Sequence, residues 1–271
     1  MPALRAPIEG ECLVPKTNVT PLPCPRTPAQ TLGNIHPGLR HLSRANGVNY
    51  YTIMDFRYLI SQLPKFMDAL ELTLGIGFIG MILAVLWGLI LVGPRMSSNF
   101  WIRSPIVAYI ELVRNTPLLL QVYVFYFALP LFGILISGFM CGVIGLASQH
   151  GAFLAEIYRG GIKSISKHQR EAAKSLGMTQ ITAMRYVILP QALLKIAPSV
   201  SGQLILLLKD TAVVSAIGVM ELTLAAKVTI ERSAASMEVF ILIAILYLIL
   251  TSSLGMGLRV LETRHRKRIT R

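Results

Sequence analysis

The sequence is short of charge, and of acid in particular. Only 14% of its 271 residues are charged, with 13 Asp and Glu against 26 Lys and Arg. Roughly a quarter of the residues of a soluble domain are charged, so this composition excludes one. Hydrophobic residues make up 54%, which leaves ample apolar surface to bury and excludes disorder as the main state. Cysteine is scarce. Cys12, Cys24 and Cys141 form no CxxC pair and stand beside no histidine at ligand spacing, so no disulfide framework and no metal centre are indicated. The chain has no GxxxxGK[ST], HExxH or GxSxG motif, and so no nucleotide loop or hydrolytic centre of those kinds. What remains is a polytopic membrane protein. Its excess positive charge belongs in loops beside a membrane rather than on a nucleic-acid face.

Residues 1–50 stand apart. Eight prolines fall between Pro2 and Pro37, and no apolar core of secretory-signal length is present. The segment reads as a disordered extension, or as a leader that is not translated if synthesis starts at Val48. Residues 51–71 follow as an N-terminal amphipathic segment.

Leu72 to Gly93 carries no charge and is long enough for one crossing. Thr116 to Gln149 is also free of charge, too long for one crossing, and divides best around Pro130, Gly133 and Ser137. The expected spans are about 72–93, 106–129, 138–158, 196–219 and 239–258. Five crossings place the termini on opposite sides. The regions holding Arg95, Arg103 and Arg114, then residues 159–191, then the basic tail 259–271, share one side. By the positive-inside rule that side is the cytoplasm, with the N-terminus outside.

The loop 159–191 is the informative stretch. Ser166-x-x-Gln169 matches a capping box, so a short helix should start near Lys167. Gly177 falls where a left-handed cap is wanted. A second short helix fits Gln180 to Ile188, with Pro190 expected to end it. On spacing alone, such a pair either lies against headgroups or meets a partner surface through the small residues Ala172 and Ala173.

Glu171-Ala172-Ala173, three residues, Gly177, nine residues, then Val187-Ile188-Leu189-Pro190 resembles the EAA loop of ABC importer membrane subunits, with Val187 where the family usually has Ile. Glu111-Leu112-Val113-Arg114-Asn115-Thr116-Pro117, Gly151 to Ile162, Leu208-Lys209-Asp210-Thr211 and Ile217 to Leu222 make it similar to the permease branch for polar amino acids (histidine, glutamate, glutamine, arginine and opines). The resemblance covers about residues 66–262. It implies an all-α membrane protein with the five-helix core of type I ABC importer permeases. It implies coupling to a separate ATPase through Glu171, Ala172, Ala173, Gly177, Leu189 and Pro190, with ATP and Mg on that subunit and no cofactor in this chain. It also implies a second permease, the same or a sister chain, and an extracytoplasmic solute-binding protein. The setting is the bacterial inner membrane, the partners include lipid and no nucleic acid, and the cargo is glutamine- or glutamate-like.

Within the spans, Lys209 and Asp210 stand out. Each ionisable residue at depth costs at least about 2.5–3.5 kcal/mol. They are a functional pair unless they neutralise each other or Lys209 reaches the surface. Adjacent helical residues point about 100° apart, so Asp210 is the better candidate to take a substrate ammonium. Thr211 and Ser215 could add hydroxyls. Glu156 and Arg159, spaced i, i+3, suit a structural end-cap or a coupling role. Arg114 either braces the loop or meets the partner, and Pro117 suits a helix start. His150 reads as a lone structural histidine at the edge of its span. The alternative function is an ion-gradient-driven secondary amino-acid transporter. It would call for internal repeats, and none is clear.

Overall fold

The computed structural model describes residues 56–233 and 236–269, with side chains over 62–232 and 237–264. The expectations for residues 1–50 lie outside the described residues. From Phe56 the amphipathic segment belongs to α1, Phe56–Arg95. Pro64 removes one donor from this helix but does not break it, so no boundary falls at residue 71.

The expected single span over 106–129 is two helices instead. Helix α2 (Phe100–Asn115) and a second piece, Leu118–Phe132, meet at 106°. That second piece is α3 (Leu118–Tyr123), a π turn (Val124–Ala128) and a 3-10 turn (Leu129–Phe132). The cause is Pro117. It disfavours helical backbone in the residue before it, and Thr116 is extended, with φ −106° and ψ 142°. The Thr116 hydroxyl donates to the Leu112 carbonyl at 2.9 Å, supplying a partner the helix end would otherwise lack.

Helix α4, Gly138–Lys163, starts on Ser137, whose hydroxyl accepts from the Met140 N–H. After it come α5 (Lys167–Ser175) and α6 (Gln180–Ala183), the latter passing through a π turn (Met184–Ile188) into α7 (Leu189–Asp210). Pro190 therefore does not end a helix. The π turn re-registers the backbone, with the Leu189 N–H reaching the Met184 carbonyl, and Pro190 falls in the first turn of α7, where a missing donor is tolerated. A 3-10 turn, Thr211–Ile217, extends α7 to Gly218, which is left-handed at φ 80°. Last come α8 (Leu222–Ser233) and α9 (Ser236–Ile269). The expected basic tail is helical as far as Ile269.

Among the described residues, four helical stretches are long and apolar enough to cross a membrane: Gln62–Arg95, Gly138–Lys163, Gln180–Ile217 and Met237–Arg264. The bent pair makes five if counted as one span. Helix α4 is the central post, its apolar window 61% buried against 11% for α9. It runs parallel to α1. A Cβ on Gly88 would lie 2.9 Å from the Leu154 Cβ, and one on Gly151 would lie 2.8 Å from the Trp87 ring. Only glycine permits that approach. Helix α7 runs antiparallel to both, with Gly161 against Ile196 and Gly142 against Val214. Ile76, Leu146, Leu154, Leu207 and Val214 form the core where the three meet.

Candidate functional site

The residues of greatest chemical interest gather at two levels, one midway along α4 and one at the loop beyond its end. His150 is the thirteenth of the 26 residues of α4, so it sits at the centre of its helix rather than at the edge. It is 1% exposed. Its Nδ1 lies 2.8 Å from the Gln203 amide nitrogen, and its Nε2 lies 3.2 Å from the Asp210 carboxylate. With Gln203 donating to Nδ1, the ring proton is on Nε2, facing Asp210. That approach is off the line of a good hydrogen bond, since Nε2 has no aligned partner. Asp210 thus keeps acceptor capacity, and its side chain is 33% exposed.

Lys209 does not pair with Asp210 and is exposed. Thr211 and Ser215 do not join the pair either. Thr211 is fully buried with its hydroxyl donated to the Leu208 carbonyl, and its methyl group faces Gly77 of α1. Ser215 is buried and accepts from Lys227 of α8 at 3.4 Å.

The Pro117 break lies against the same part of α4. The Gln121 amide donates to the Val113 carbonyl at 2.8 Å and to the Thr116 hydroxyl at 2.9 Å, and it also bonds the Gln149 side chain. A carbonyl freed by the break is therefore satisfied by a side chain, as irregular backbone at membrane depth requires. Arg114, just before the break, sets its guanidinium over the Phe153 ring, 5.0 Å from the centroid.

Glu156 closes the lower end of α4. It accepts from Arg95 at 2.7 Å and from Arg159 at 2.8 Å. The i, i+3 pair is present, and Arg95 makes it a clamp between the ends of α1 and α4.

Beyond the clamp, Ser166 caps α5 by accepting from the His168 N–H. Gln169 does not complete a capping box; it bonds Gln191 at the start of α7, at 3.4 Å. Glu171 is exposed and pairs with Lys167 and His168 of its own helix at 3.4 and 3.5 Å. Ala172 is exposed but Ala173 is buried, so only the first presents a small outward surface. Gly177 is left-handed at φ 75°. Leu176 and Ile181, on either side of that turn, are 78% and 81% exposed. Leu189 is exposed and Pro190 partly so. The loop is lashed to the spans by Arg170 donating to the Ile162 carbonyl and by Lys195 donating to the Ser164 carbonyl.

Glu221 lies within the Ile217 to Leu222 stretch, where the sequence alone assigned it no role. It is fully buried. Its carboxylate accepts from the backbone N–H groups of Thr223 and Leu224 at 2.9 and 3.0 Å, capping α8, and from the Tyr247 hydroxyl of α9 at 3.1 Å. Next to it the Leu222 N–H donates to Thr73 of α1 at 3.0 Å. This latch joins three helices at the end away from the coupling loop. Burial pushes the Glu221 carboxyl above its usual range, with the hydrogen bonds opposing that shift. The signal available in sequence was its position three residues after Gly218, at a helix start.

Residues 78–267 match the family of binding-protein-dependent transport system inner membrane components. The chain belongs to this family. It is similar to the glutamine transport system permease protein GlnP of Escherichia coli, with 35% identity over 78% of this chain and 97% of that one. It is similar to a probable amino-acid ABC transporter permease of Sinorhizobium fredii, with 32% identity over 79% of this chain and 93% of that one. Among solved structures, an amino acid ABC transporter with histidines superposes at TM-score 0.74, with 39% identity, covering 78% of this chain and 99% of its own. The fold is therefore that of type I ABC importer permeases, and the chain is a multi-pass inner-membrane transport subunit. The ion-gradient-driven alternative is set aside, because the relatives are permeases of ABC systems.

Proposed function

We propose that this permease forms the path for a polar amino acid, glutamine or glutamate in type, in an ATP-driven importer, and that Asp210 holds the cargo's ammonium at mid-depth. The observation that carries the reading is the His150–Asp210 pair. A buried histidine approaches the carboxylate without an aligned bond, and Lys209 does not neutralise it. An arriving ammonium can displace that weak contact and gain charge-assisted hydrogen bonds.

ATP and Mg2+ belong to a separate ATPase, which docks at the loop. The exposed Leu176, Ala172 and Ile181 suit an apolar groove on that partner, and the Gly177 turn sets the angle between the two short helices. Closure of the ATPase would move the loop. The ties from Arg170, Gln169 and Lys195 would carry the movement into α4 and α7, and the packed helices would exchange inward- and outward-open arrangements. A second permease, identical or sister, completes the path, and an extracytoplasmic binding protein delivers the cargo. In this reading the C-terminus is cytoplasmic and the N-terminus lies outside.

Reconstitution in liposomes with the neighbouring ATPase, a binding protein and a panel of labelled amino acids tests it. Uptake should require both ATP and the binding protein, with a polar amino acid as the cargo. Uptake by the permease alone down an imposed ion gradient would contradict it.

A further inference from the structure

At the end away from the coupling loop, a cavity of about 440 Å3 opens between α1 and α8. Lys65, Asp68 and Leu72 contribute from α1, at i, i+3 and i+7. Ala225, Val228 and Arg232 contribute from α8 at the same spacing. Two helical stripes therefore face each other. The α1 wall brings Lys65 and Asp68 and the α8 wall brings Arg232, so Asp68 could answer Arg232 across the gap, yet the two do not meet. Among the described residues, neither Asp68 nor Arg232 takes part in an ion pair. Lys65 is tied to Gln62 of its own helix at 2.8 Å. Between the charges, Leu72, Ala225 and Val228 supply apolar wall.

A carboxylate on one side, a guanidinium on the other and an apolar surface between them complement a zwitterion with a side chain. We propose that this cavity is a second binding site for a free α-amino acid, distinct from Asp210. The ammonium goes to Asp68, and the carboxylate goes to Arg232, whose planar fork suits bidentate recognition. The side chain lies against Leu72 and Val228. The volume is that of a small-molecule pocket, and its concavity favours a free amino acid over the face of a binding protein. The Thr73–Leu222 bond and Glu221 latch lie directly behind the cavity. An occupant bridging Asp68 and Arg232 therefore adds a second tie between α1 and α8, beside the one the latch supplies. The inference rests on the amino-acid reading of the transporter and adds a station before the mid-depth site.

The test uses the complete importer in nanodiscs, with Cys12 and Cys24 replaced by serine and Val228→Cys introduced in the cavity wall. The rate at which a charged thiol reagent modifies position 228 is measured against each amino acid that the same preparation takes up. At about ten times its dissociation constant, an occupant slows labelling about tenfold. Its analogues lacking the amino or the carboxylate group should not protect. Adding Arg232→Gln should abolish protection, and adding Asp210→Asn should leave it. If transported amino acids give no protection while ATP-driven uptake proceeds, the second site is wrong and the importer reading stands. Protection by the binding protein alone, without amino acid, also overturns it, marking the cavity as a protein-docking surface. If no amino acid is taken up at all, the amino-acid reading itself fails.

Discussion

Gly177→Val is expected to uncouple transport from ATP hydrolysis while leaving the permease inserted and assembled. Gly177 ends α5 with φ 75°, and its N–H donates to the Lys174 carbonyl at 2.9 Å while the Met178 N–H reaches the Ala173 carbonyl at 3.1 Å. Those two bonds are the paired caps of a Schellman end. A Cβ at this position would meet nothing within 4 Å, so the substitution has no packing cost and isolates the backbone cost. An L-residue in the left-handed region costs about 1–2 kcal/mol, and a β-branched one is a genuine outlier there. Losing both caps adds about 0.5–1.5 kcal/mol each. The sum, about 2–5 kcal/mol, is enough to redirect the chain between the two short helices and swing Ile181 away from Leu176. Gly177 itself lies between the candidate membrane stretches Gly138–Lys163 and Gln180–Ile217. Uptake by the reconstituted importer should fall at least tenfold, since about 1.4 kcal/mol corresponds to one decade. Gly177→Asn should fall less, because Asn visits the left-handed region more readily. The readouts are uptake per ATP hydrolysed and the yield of intact complex. Wild-type uptake by the valine variant would refute the lever reasoning.

Gly161→Ala should lower the melting temperature of the purified complex, because its Cβ would fall 2.0 Å from Ile196 Cγ2; overpacking of this kind costs about 1–3 kcal/mol, and an unchanged melting curve would contradict the tight α4–α7 contact. Glu156→Gln strips the charge that Arg95 and Arg159 share. A partly buried clamp of this kind is worth about 2–3 kcal/mol, between the surface and buried limits, and proteolysis at the α1 end should speed up accordingly. Glu221 has a raised carboxyl value in the folded protein, so its contribution to stability is full below the unfolded carboxylate range and is lost as pH rises through the folded value. Glu221→Gln should flatten the fall in melting temperature from acidic to neutral pH, and an unaltered pH slope would count against that assignment.

Much of the fold class was legible because long charge-free runs and scarce acids leave few alternatives to a bundle of membrane helices. Ser166 could be read as a cap because its hydroxyl lies before a polar helical run, and α5 does begin after it. The harder features depend on contacts between distant residues. His150 looked solitary because Asp210 and Gln203 lie more than fifty positions away in sequence, and only antiparallel packing of α4 and α7 brings them together. Glu221 gave no sign of its burial because Tyr247, which donates to it, lies 26 positions away, and the Thr73 hydroxyl that receives the neighbouring Leu222 N–H lies 149 positions away. The prolines pointed both ways. Pro117 stands at a helix start, as its position suggested, and so breaks the run that hydropathy would carry through, while Pro190 does not end a helix, because a π turn absorbs its missing donor. The same residue type gave opposite outcomes according to whether neighbouring backbone could re-register.

The central claim is that Asp210, approached by His150, holds the cargo at mid-depth, and one measurement addresses it most directly. Uptake by the assembled importer carrying Asp210→Asn should be compared with wild type across cargo concentrations. Asparagine keeps the shape and loses the charge. The account predicts at least a tenfold loss of uptake, about 1.4 kcal/mol or more of lost ammonium binding, with the complex intact and its basal ATP hydrolysis retained. Undiminished uptake through the asparagine variant would contradict it and move the cargo's ammonium elsewhere in the path.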